Sequence, residues 1–212
     1  MGISVEEPLI VHGLGDSRWR RDRIIELVER VGMAEHHLSR YPGELSGGQL
    51  QRLSIARALA TLPKLIVCDE PAAALDVSVR AQVLNLLREL QRERELSYLF
   101  ITHDLSLVRA LAHRIAVMFA GRIVELGPKS EVFQSPRHPY TRTLLSAMPA
   151  PDPASRPTGS VPAAIDDRHG PTLIGGCVYS ARCPIAQNAC RRAEPTLSQV
   201  GLTSVACFTP LS

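Results

Sequence analysis

The segment Leu45-Ser46-Gly47-Gly48-Gln49 places a hydroxyl, two glycines and an amide at the predicted start of a helix. Because glycine has no Cβ, backbone N–H groups there can approach an oxyanion closely. The positive end of the helix dipole favours the same anion. Ser46 can cap the helix and also donate its hydroxyl to a phosphate oxygen. The segment therefore predicts a phosphate contact, although an ordinary Ser-Gly-Gly turn before a helix contains the same residues.

Two carboxylates and a histidine follow apolar runs further along the chain. Asp69 and Glu70 come directly after Leu65-Ile66-Val67-Cys68, a run typical of a buried parallel strand. A nucleotide site needs one carboxylate near Mg²⁺ and another to orient or deprotonate the attacking water. His103 follows a second apolar run in the same way. Each residue alone could be a solvated turn or a structural histidine, but the ordered set indicates a nucleotide site.

A cluster of cysteines near the end of the chain indicates soft-metal chemistry. Five, six and sixteen residues separate successive members, which are Cys177, Cys183, Cys190 and Cys207. In a reducing compartment such a cluster favours a metal over disulfides, and thiolates bind zinc and iron–sulfur clusters alike. The two-residue gaps usual in structural zinc sites are missing from the sequence. An iron–sulfur cluster, zinc and a metal-free tail stay open as alternatives, whereas Cys68 is predicted to pack in the core.

The elements that must position these residues alternate between helix and strand. Apolar periodicity predicts helices at 21–31, 49–62, 77–95 and 105–112, and strands at 65–68, 97–102, 115–119 and 122–125. Residues 1–16 show no clear period. Alternating strands and helices predict an α/β fold with a mostly parallel sheet and flanking helices, whose ligands bind at the carboxyl ends of the strands.

Composition excludes several classes of protein. The chain has 212 residues, of which 45% are hydrophobic and 21% charged, and its net charge is +3. These values exclude wholesale disorder and fibrous repeats, and they call for no nucleic acid partner. The first residues do not resemble a secretory signal, and no long apolar window predicts a membrane span. We therefore expect a cytoplasmic protein that reaches a membrane only through a partner.

From about Tyr41 to Gly127 the chain resembles the second half of an ATP-binding-cassette (ABC) nucleotide-binding domain, a P-loop NTPase. Residues 45–49 match the signature motif of that family, residues 65–70 its Walker B strand and residues 74–76 its D-loop. His103 matches its switch histidine. The order and spacing of these four motifs are specific to the family.

The resemblance implies a role for each matching residue. Asp69 would hold Mg²⁺ through water, Glu70 would act as the general base and His103 would sense the γ-phosphate of ATP. Asp76 would make a contact across a dimer of cassettes. Residues Ser46, Gly47, Gly48 and Gln49 would bind the ATP held by a partner.

The segment Ser135-Pro136-Arg137-His138-Pro139-Tyr140-Thr141 and the helix-like residues after it resemble the C-terminal extension of peptide-importer ATPases. In that subfamily a cysteine cluster follows, so the resemblance implies a [4Fe–4S] cluster on Cys177, Cys183, Cys190 and Cys207, with zinc as the second choice. Without the cassette motifs, His-Pro-Tyr would be an ordinary turn before a helix. The predicted organisation is a partial cassette at 1–127, a helical extension at 128–148, and a Pro-rich linker with the cysteine tail at 149–212.

The sequence departs from a complete cassette in one important respect. It contains no Gly-x-x-x-x-Gly-Lys-Ser/Thr phosphate loop (Walker A) and no glutamine loop. The similar run Gly127-Pro128-Lys129-Ser130 has proline in place of the second glycine and follows the last core strand. A smaller departure is Pro71-Ala72-Ala73-Ala74, where many relatives have hydroxyl side chains. We therefore expect the isolated chain to be catalytically silent.

These observations lead to one principal hypothesis and two alternatives. The chain is interpreted as the ATP-binding and ATP-hydrolysing subunit of a peptide-type ABC importer, at the inner face of the cell membrane, using ATP and Mg²⁺. The implied partners are a second ABC ATPase subunit, transmembrane permease subunits and, indirectly, a solute-binding protein. The alternatives are a silent half-domain that only completes a partner's ATP site, and a metal-binding interaction module built on the cysteine tail.

Overall fold

Helices and strands alternate through the first part of the chain. The structure, a computed structural model, describes residues 1–71, 75–148 and 175–211. It contains two units, Met1–His103 and Asp104–Ser212. The elements of the first unit are α1 (Gly2–Val11), α2 (Ser17–Arg30), α3 (Gly47–Leu59), β1 (Leu65–Asp69), α4 (Val77–Arg94) and β2 (Ser97–Ile101), with 3₁₀ turns at Glu35–Ser39 and Pro42–Glu44.

The second unit carries shorter elements. They are α5 (Leu105–Leu111), β3 (Arg114–Phe119), β4 (Arg122–Pro128), α6 (Lys129–Gln134), α7 (Pro139–Ser146), α8 (Asn188–Arg192), β5 (Ser198–Val200) and β6 (Thr203–Val205). The predicted Pro-rich linker at 149–171, the Ala74 position of the D-loop and the Ala72-Ala73 step lie outside the described residues. In the part of the chain that the structure describes, no helix is both long and apolar enough to cross a bilayer.

Helix α1 lies where the sequence shows no period. Only Val5 and Leu9 face the core, one turn apart, whereas Ile3, Ile10 and Val11 are exposed. Apolar residues on both faces hide the helical period from a sequence analysis. The N-terminal ammonium group of the chain donates to the carbonyl oxygen of Leu38 at 3.1 Å, which fixes the start of the helix.

Capping side chains set the helix starts. The carboxylate of Asp16 accepts the backbone N–H of Trp19 at 2.8 Å, so α2 begins at Ser17, earlier than the predicted residue 21. The hydroxyl of Ser46 accepts the backbone N–H of Gln49 and starts α3 at Gly47. In both cases the side chain satisfies an N–H group that the first helical turn leaves without an intrahelical partner.

The core of the first unit lies between its helices and β1. Buried apolar side chains from α1 to α4 meet there, among them Val5, Leu9, Leu27, Val28, Leu53, Leu59, Val83, Leu87 and Leu90. Ile66 and Cys68 add the inner face of β1 to this core. Burial raises the pKa of the Cys68 thiol to about 11. This cysteine packs in the core as the sequence predicts.

Strands β1 and β2 run parallel and are joined by α4. Leu65 pairs with Ser97, and Asp69 pairs with Ile101 at the other end of the ladder. Parallel strands need such a crossover connection, and the amphipathic α4 provides it. The α/β fold predicted from the sequence is therefore present. The carboxyl ends of both strands lie at the same end of the pair.

Among the residues that the structure describes, parallel pairing is limited to these two strands. The other four form an antiparallel sheet in the order β3-β4-β6-β5, so the prediction of a mostly parallel sheet applies to the first unit alone. Ala120 and Gly121, at φ +46° and +76°, reverse the chain between β3 and β4. A two-residue turn of this kind joins antiparallel neighbours and leaves no room for a crossover helix.

The cysteine tail is part of this antiparallel sheet. Strand β6 pairs with β4, with Val205 opposite Glu125, and the N–H of Ala206 donates to the carbonyl of Val124 at 2.9 Å. The last described residue, Leu211, donates its N–H to the carbonyl of Arg137 at 2.8 Å. The guanidinium of Arg137 returns a bond to the carbonyl of Leu211 at 3.0 Å. The tail is thus fixed to the segment that precedes α7.

A buried carboxylate orders the same region. Glu125, on β4, is 0% exposed. Its two oxygens accept the backbone N–H groups of Arg137 at 2.8 Å and His138 at 2.9 Å. A buried carboxylate is tolerated only when its oxygens are hydrogen-bonded, and here the bonds fix the backbone at the start of the His-Pro-Tyr segment.

Replacing Glu125 with alanine should destabilise the second unit. The change leaves one buried and one partly buried N–H group without acceptors, at a cost of about 2–4 kcal/mol. Urea unfolding followed by amide hydrogen exchange of Arg114–Phe119 and Arg122–Pro128 reports on this unit, while Trp19 fluorescence reports on the other. Glu194→Ala is the matched control, since Glu194 makes an exposed ion pair with Arg122 and its replacement should cost less than about 1 kcal/mol. Equal losses in the two variants would contradict the structural role of Glu125.

Candidate functional site

The signature segment forms a closed hydrogen-bonded turn at the start of α3. The N–H of Ser46 donates to Oε1 of Gln49 at 2.9 Å, and the N–H of Gln49 donates back to the Ser46 hydroxyl at 3.3 Å. Such a capping box rigidifies the helix start. Ser46 and Gly47 are exposed there, beside the positive end of the 13-residue helix. The arrangement suits an approaching anion.

The side-chain amide of Gln49 makes hydrogen bonds within the protein. Its Nε2 donates to Nε2 of His37 at 3.3 Å, while its Oε1 already accepts from Ser46. Nδ1 of His37 in turn contacts both the backbone nitrogen of Ala34, at 3.2 Å, and its carbonyl oxygen, at 3.0 Å. The side chain of Gln49 therefore braces the turn. Its predicted contact with nucleotide stays a prediction.

The two signature glycines differ in their surroundings. A Cβ on Gly48, which is buried, would collide with Cγ1 of Val79 on α4. A Cβ on Gly47, which is exposed, would meet only Cδ2 of Leu75, at 3.9 Å. Gly48 is thus required for packing α3 against α4, independently of any ligand. Gly47 has no such packing role and is available to contact a ligand.

The start of α4 lies next to this turn and is capped by Asp76. Its carboxylate accepts the N–H of Val79 at 3.0 Å and the hydroxyl of Ser78 at 3.0 Å. These hydrogen bonds, that from Val79 first, lower the pKa of Asp76. The structure gives Asp76 a capping role that the sequence analysis did not identify. Its contact across a dimer of cassettes stays a prediction.

Asp69, Glu70 and His103 lie together at the carboxyl ends of β1 and β2. The N–H of Glu70 donates to the carbonyl of Ile101 at 2.9 Å, at the end of the strand ladder. Nδ1 of His103 donates to Oε1 of Glu70 at 2.7 Å. All three side chains are exposed. The predicted acid pair and histidine therefore form one solvent-accessible group.

The backbone of Glu70 is unusual. Its φ is +46°, a left-handed conformation that a residue with a Cβ rarely adopts. Strained backbone of this kind occurs where the surroundings fix it, and it is concentrated at functional sites. Here the bond from Glu70 to the Ile101 carbonyl and the bond from His103 restrain the residue on both sides.

Arg52, three residues after the signature segment, is a positioning residue that the sequence motifs do not identify. Its guanidinium donates to the carbonyl of Val31, at the end of α2, at 2.6 Å, and to Oε1 of Gln82 on α4 at 3.0 Å. The signature helix is thereby tied to both neighbours. The signal in the sequence was the charge of Arg52 near the start of a predicted helix that is otherwise mostly small and apolar.

The four tail cysteines line one small cavity in the second unit. The cavity has a volume of about 10 Å³, close to the minimum that holds one water molecule, and His138 and Tyr179 also line it. The backbone brings Cys177 and Cys190 together, since the N–H of Cys177 donates to the carbonyl of Cys190 at 2.7 Å. A Cβ on Gly176 would lie 2.9 Å from that same carbonyl oxygen, so only glycine fits there.

The thiols of this cavity are in a mixed environment. Burial, and secondarily the neighbouring thiols, raise the pKa of Cys183 and Cys207 above the ordinary cysteine value. Backbone hydrogen bonds at Ile185 and Thr209, two residues after each cysteine, act in the opposite direction. Such N–H groups favour the thiolate that a metal needs. The chemistry of the four donors therefore suits a soft metal.

The cavity has side chains of the type that a soft metal needs, but they are not arranged around one ion. Across residues 1–71, 75–148 and 175–211, no three Cys, His, Asp or Glu side chains are arranged as ligands of one metal ion. The assignment of Cys177, Cys183, Cys190 and Cys207 as metal ligands stays a prediction.

Comparison with known families identifies both units. Residues 2–73 match the model described as ABC transporter, a range that includes the signature segment, Asp69 and Glu70. Residues 124–190 match the oligopeptide/dipeptide transporter C-terminal region, which includes His138 and three of the tail cysteines. The chain belongs to the ABC transporter ATP-binding family. His103, Asp76 and Cys207 lie outside the two matched ranges.

Curated relatives of this ABC chain are longer than it is. It is 48% identical over 204 residues to the glutathione import ATP-binding protein GsiA of Salmonella typhimurium, covering 91% of this chain and 33% of the relative. It is 45% identical over 210 residues to the oligopeptide transport ATP-binding protein OppF of Escherichia coli, covering 98% of this chain and 63% of the relative. The chain thus spans between one third and two thirds of the length of these relatives.

A solved structure supports the fold. The ATP-binding cassette MJ0796, in a dimeric post-hydrolysis state bound to ADP and phosphate, matches with a TM-score of 0.52 and 34% sequence identity. The match covers 58% of this chain and 54% of that one. The α/β fold of a P-loop NTPase is therefore confirmed for this ABC chain, as the C-terminal part of the nucleotide-binding domain.

The buried histidine of the second unit should make that unit sensitive to acid. Burial lowers the pKa of His138 to about 4, whereas an unfolded histidine titrates near 6.5. The unfolded state therefore binds more protons between these values, so the free energy of unfolding should fall by up to about 1.4 kcal/mol per pH unit as the pH drops from 6 to 4. Unfolding of the metal-free chain, compared with His138→Asn, measures this slope. An equally steep slope in the variant would contradict the assignment.

Proposed function

We propose that this chain supplies the signature and Walker B half of an ATP-binding subunit in a peptide-type ABC importer. The observation that carries the proposal is the hydrogen bond between Glu70 and His103 at the carboxyl ends of two parallel strands, with Asp69 beside them. Ligands of open α/β sheets bind at that position. Residues 1–127 would form the partial cassette, residues 128–148 the helical extension and residues 149–212 the linker and cysteine tail.

In this proposal each side chain has a role in phosphoryl transfer to water. Bound Mg·ATP supplies the phosphoryl group. Asp69 would hold Mg²⁺ through its water shell, and Glu70 would accept the proton of the attacking water. The bond from His103 fixes the orientation of the Glu70 carboxylate, and His103 also senses the γ-phosphate. Positioned acids and bases of this kind typically accelerate a reaction 10²- to 10⁴-fold.

The signature turn would act on ATP bound elsewhere. The sequence has no phosphate loop, so Asp69 and Glu70 need a loop from another segment, and Ser46 and Gly47 would contact the γ-phosphate held by a second ATPase subunit. The proposed assembly also includes transmembrane permease subunits, at the cytoplasmic face of the membrane. The names of the relatives, which refer to glutathione import and oligopeptide transport, support transport of small peptides.

Gly47→Asp tests the proposed contact with ATP. In a complex with a complete ATP-binding subunit and its permease, the variant should lower ATP hydrolysis about 100-fold, because it places a carboxylate where the phosphate must approach. Aspartate at the first helical position favours the helix, so a folding defect would not explain the loss. Nucleotide binding to the phosphate loop of the partner should be unchanged.

Gly47→Ala is the matched control for this experiment. Its Cβ meets only Leu75, and hydrolysis should remain close to that of the unmodified complex. Gly48 is unsuitable for the test because any side chain there collides with Val79. Full activity of the Gly47→Asp complex would show that the signature turn does not contact the nucleotide.

A second function is favoured by the four thiols around one cavity. We propose that Cys177, Cys183, Cys190 and Cys207 hold a [4Fe–4S] cluster, with zinc as the alternative. The cluster would supply cohesion to a tail with few large apolar side chains. His138 and Tyr179 would form its protein wall, and the backbone N–H groups that follow the cysteines would stabilise the thiolates.

Anaerobic reconstitution with iron and sulfide tests this second function. We expect broad visible absorption, with iron and sulfide in equal amounts, and loss of both in Cys183→Ser. Cys68→Ala is the control, since Cys68 packs in the core of the other unit. Colourless protein with stoichiometric zinc would replace the cluster by a zinc site, and protein without any metal would overturn the proposal.

A further inference from the structure

His37 lies against the signature turn but belongs to none of the cassette motifs. It stands in the 3₁₀ turn Glu35–Ser39, and its Nε2 lies 3.3 Å from Nε2 of Gln49 in a partly buried contact. The proposed function gives this ring no role. Its contact with a residue of the turn that would bind ATP indicates that the ring acts on that turn.

The ring of His37 is held in place by its own 3₁₀ turn. Its Nδ1 contacts the backbone nitrogen of Ala34 at 3.2 Å and the carbonyl oxygen of the same residue at 3.0 Å. The ring also stacks on that of His36, with 4.1 Å between the ring centroids. Because these contacts already order the ring, its contact with Gln49 costs little further side-chain entropy. His37 is therefore a fixed point for the Gln49 amide.

Gln49 transmits this constraint to Ser46. Its Oε1 accepts the N–H of Ser46 at 2.9 Å, and its backbone N–H donates to the Ser46 hydroxyl at 3.3 Å. An amide group is planar, so holding its nitrogen at His37 also determines where its oxygen lies. Because the Ser46 oxygen already accepts from Gln49, its own proton is available to an anion. The contacts from His37 through Gln49 thus orient the hydroxyl that would meet a phosphate.

Hydrogen-bond donors increase a reaction rate most when they are oriented before the reaction begins. A glutamine side chain on the protein surface loses rotational freedom when it is held in one conformation, which opposes the capping arrangement. The contact with His37 offsets this cost. Since the phosphate loop of a second subunit would hold the nucleotide, we expect the contribution of His37 in the rate of hydrolysis and not in the affinity for ATP.

We propose that His37 is a positioning residue of the signature turn. It acts through the side-chain amide of Gln49 on Ser46, and it does not contact the nucleotide. The effect on hydrolysis rests on the proposed function, in which Ser46 and Gly47 contact the γ-phosphate. The hydrogen-bonded connection itself rests only on the distances within the turn.

The first test measures the turn in the full chain without nucleotide. Amide hydrogen exchange is followed residue by residue by NMR. His37→Ala should speed exchange of the Ser46 N–H about 10-fold, the effect of losing one hydrogen bond. His37→Gln should restore most of the protection, because its side-chain oxygen can accept from the Gln49 amide.

The second test measures ATP hydrolysis in a complex with a complete ATP-binding subunit and its permease. His37→Ala should lower kcat ~10-fold and change KM for ATP less than ~2-fold, since a loss confined to the transition state lowers kcat without weakening binding. His37→Gln should recover most of the activity.

Ser39→Ala is the matched control, because it removes a hydrogen bond of the same 3₁₀ turn, from the Ser39 hydroxyl to the carbonyl of His36 at 2.7 Å. It should leave both measurements unchanged. Equal effects in Ser39→Ala would assign the changes to the stability of the turn and overturn the proposal. Unchanged exchange at Ser46 in His37→Ala would also overturn it.

The kinetic measurement separates two further outcomes. A raised KM with unchanged kcat in His37→Ala would mean that His37 itself binds the nucleotide, and faster exchange with unchanged kcat would mean that the orientation of Ser46 does not limit hydrolysis. Either result would overturn the positioning role. The proposed function would be lost separately, by full activity of the Gly47→Asp complex.

Discussion

The parallel register of β1 with β2 determines where the chemistry of this protein lies. Asp69 pairs with Ile101 at the end of the ladder, and the N–H of the next residue, Glu70, donates to the carbonyl of Ile101. Glu70 has a left-handed conformation at this point, with φ +46°, and its carboxylate accepts a hydrogen bond from His103. A shift of one residue in the register would reverse the face of every side chain on the strand. The acid–histidine group therefore depends on strand pairing, and α4 sets that pairing by linking the two strands.

The position of the signature segment likewise depends on packing between neighbouring helices. Gly48 allows α3 to approach Val79 of α4, and Arg52 joins α3 to the end of α2 and to Gln82. Ser46 and Gly47 are left exposed at the helix start. The motif thus combines residues that hold the helix in place with residues that face solvent, and only the latter are available to a ligand.

The sequence predicts the long amphipathic elements and the order of the chemical residues well. Helices α3 and α4, strands β1 and β2, and the hairpin of β3 with β4 lie within a few residues of their predicted ranges, because each has a clear period and a distinct start or stop. Helix α1 is missed because apolar residues occupy both of its faces. The pairing of the tail with β4 is not predictable from three-residue strands, which carry too short a pattern. The sequence contains one signal for the buried carboxylate, since Glu125 is the one charged residue in the apolar run Ile-Val-Glu-Leu. The roles of Gly48, Asp76 and Gln49 in packing and capping needed side-chain geometry.

The junction of β6 with β4 has a practical consequence for the design of shorter fragments. A fragment that ends at Met148 would appear natural, since it retains every cassette motif and removes only the cysteine tail. It would, however, strip the backbone groups of Glu125 and Leu126 of their partners on β6. A bare strand edge of this kind pairs readily with other chains and promotes aggregation. Insolubility of such a fragment would therefore reflect an uncapped sheet and would say nothing about the folding of the nucleotide site.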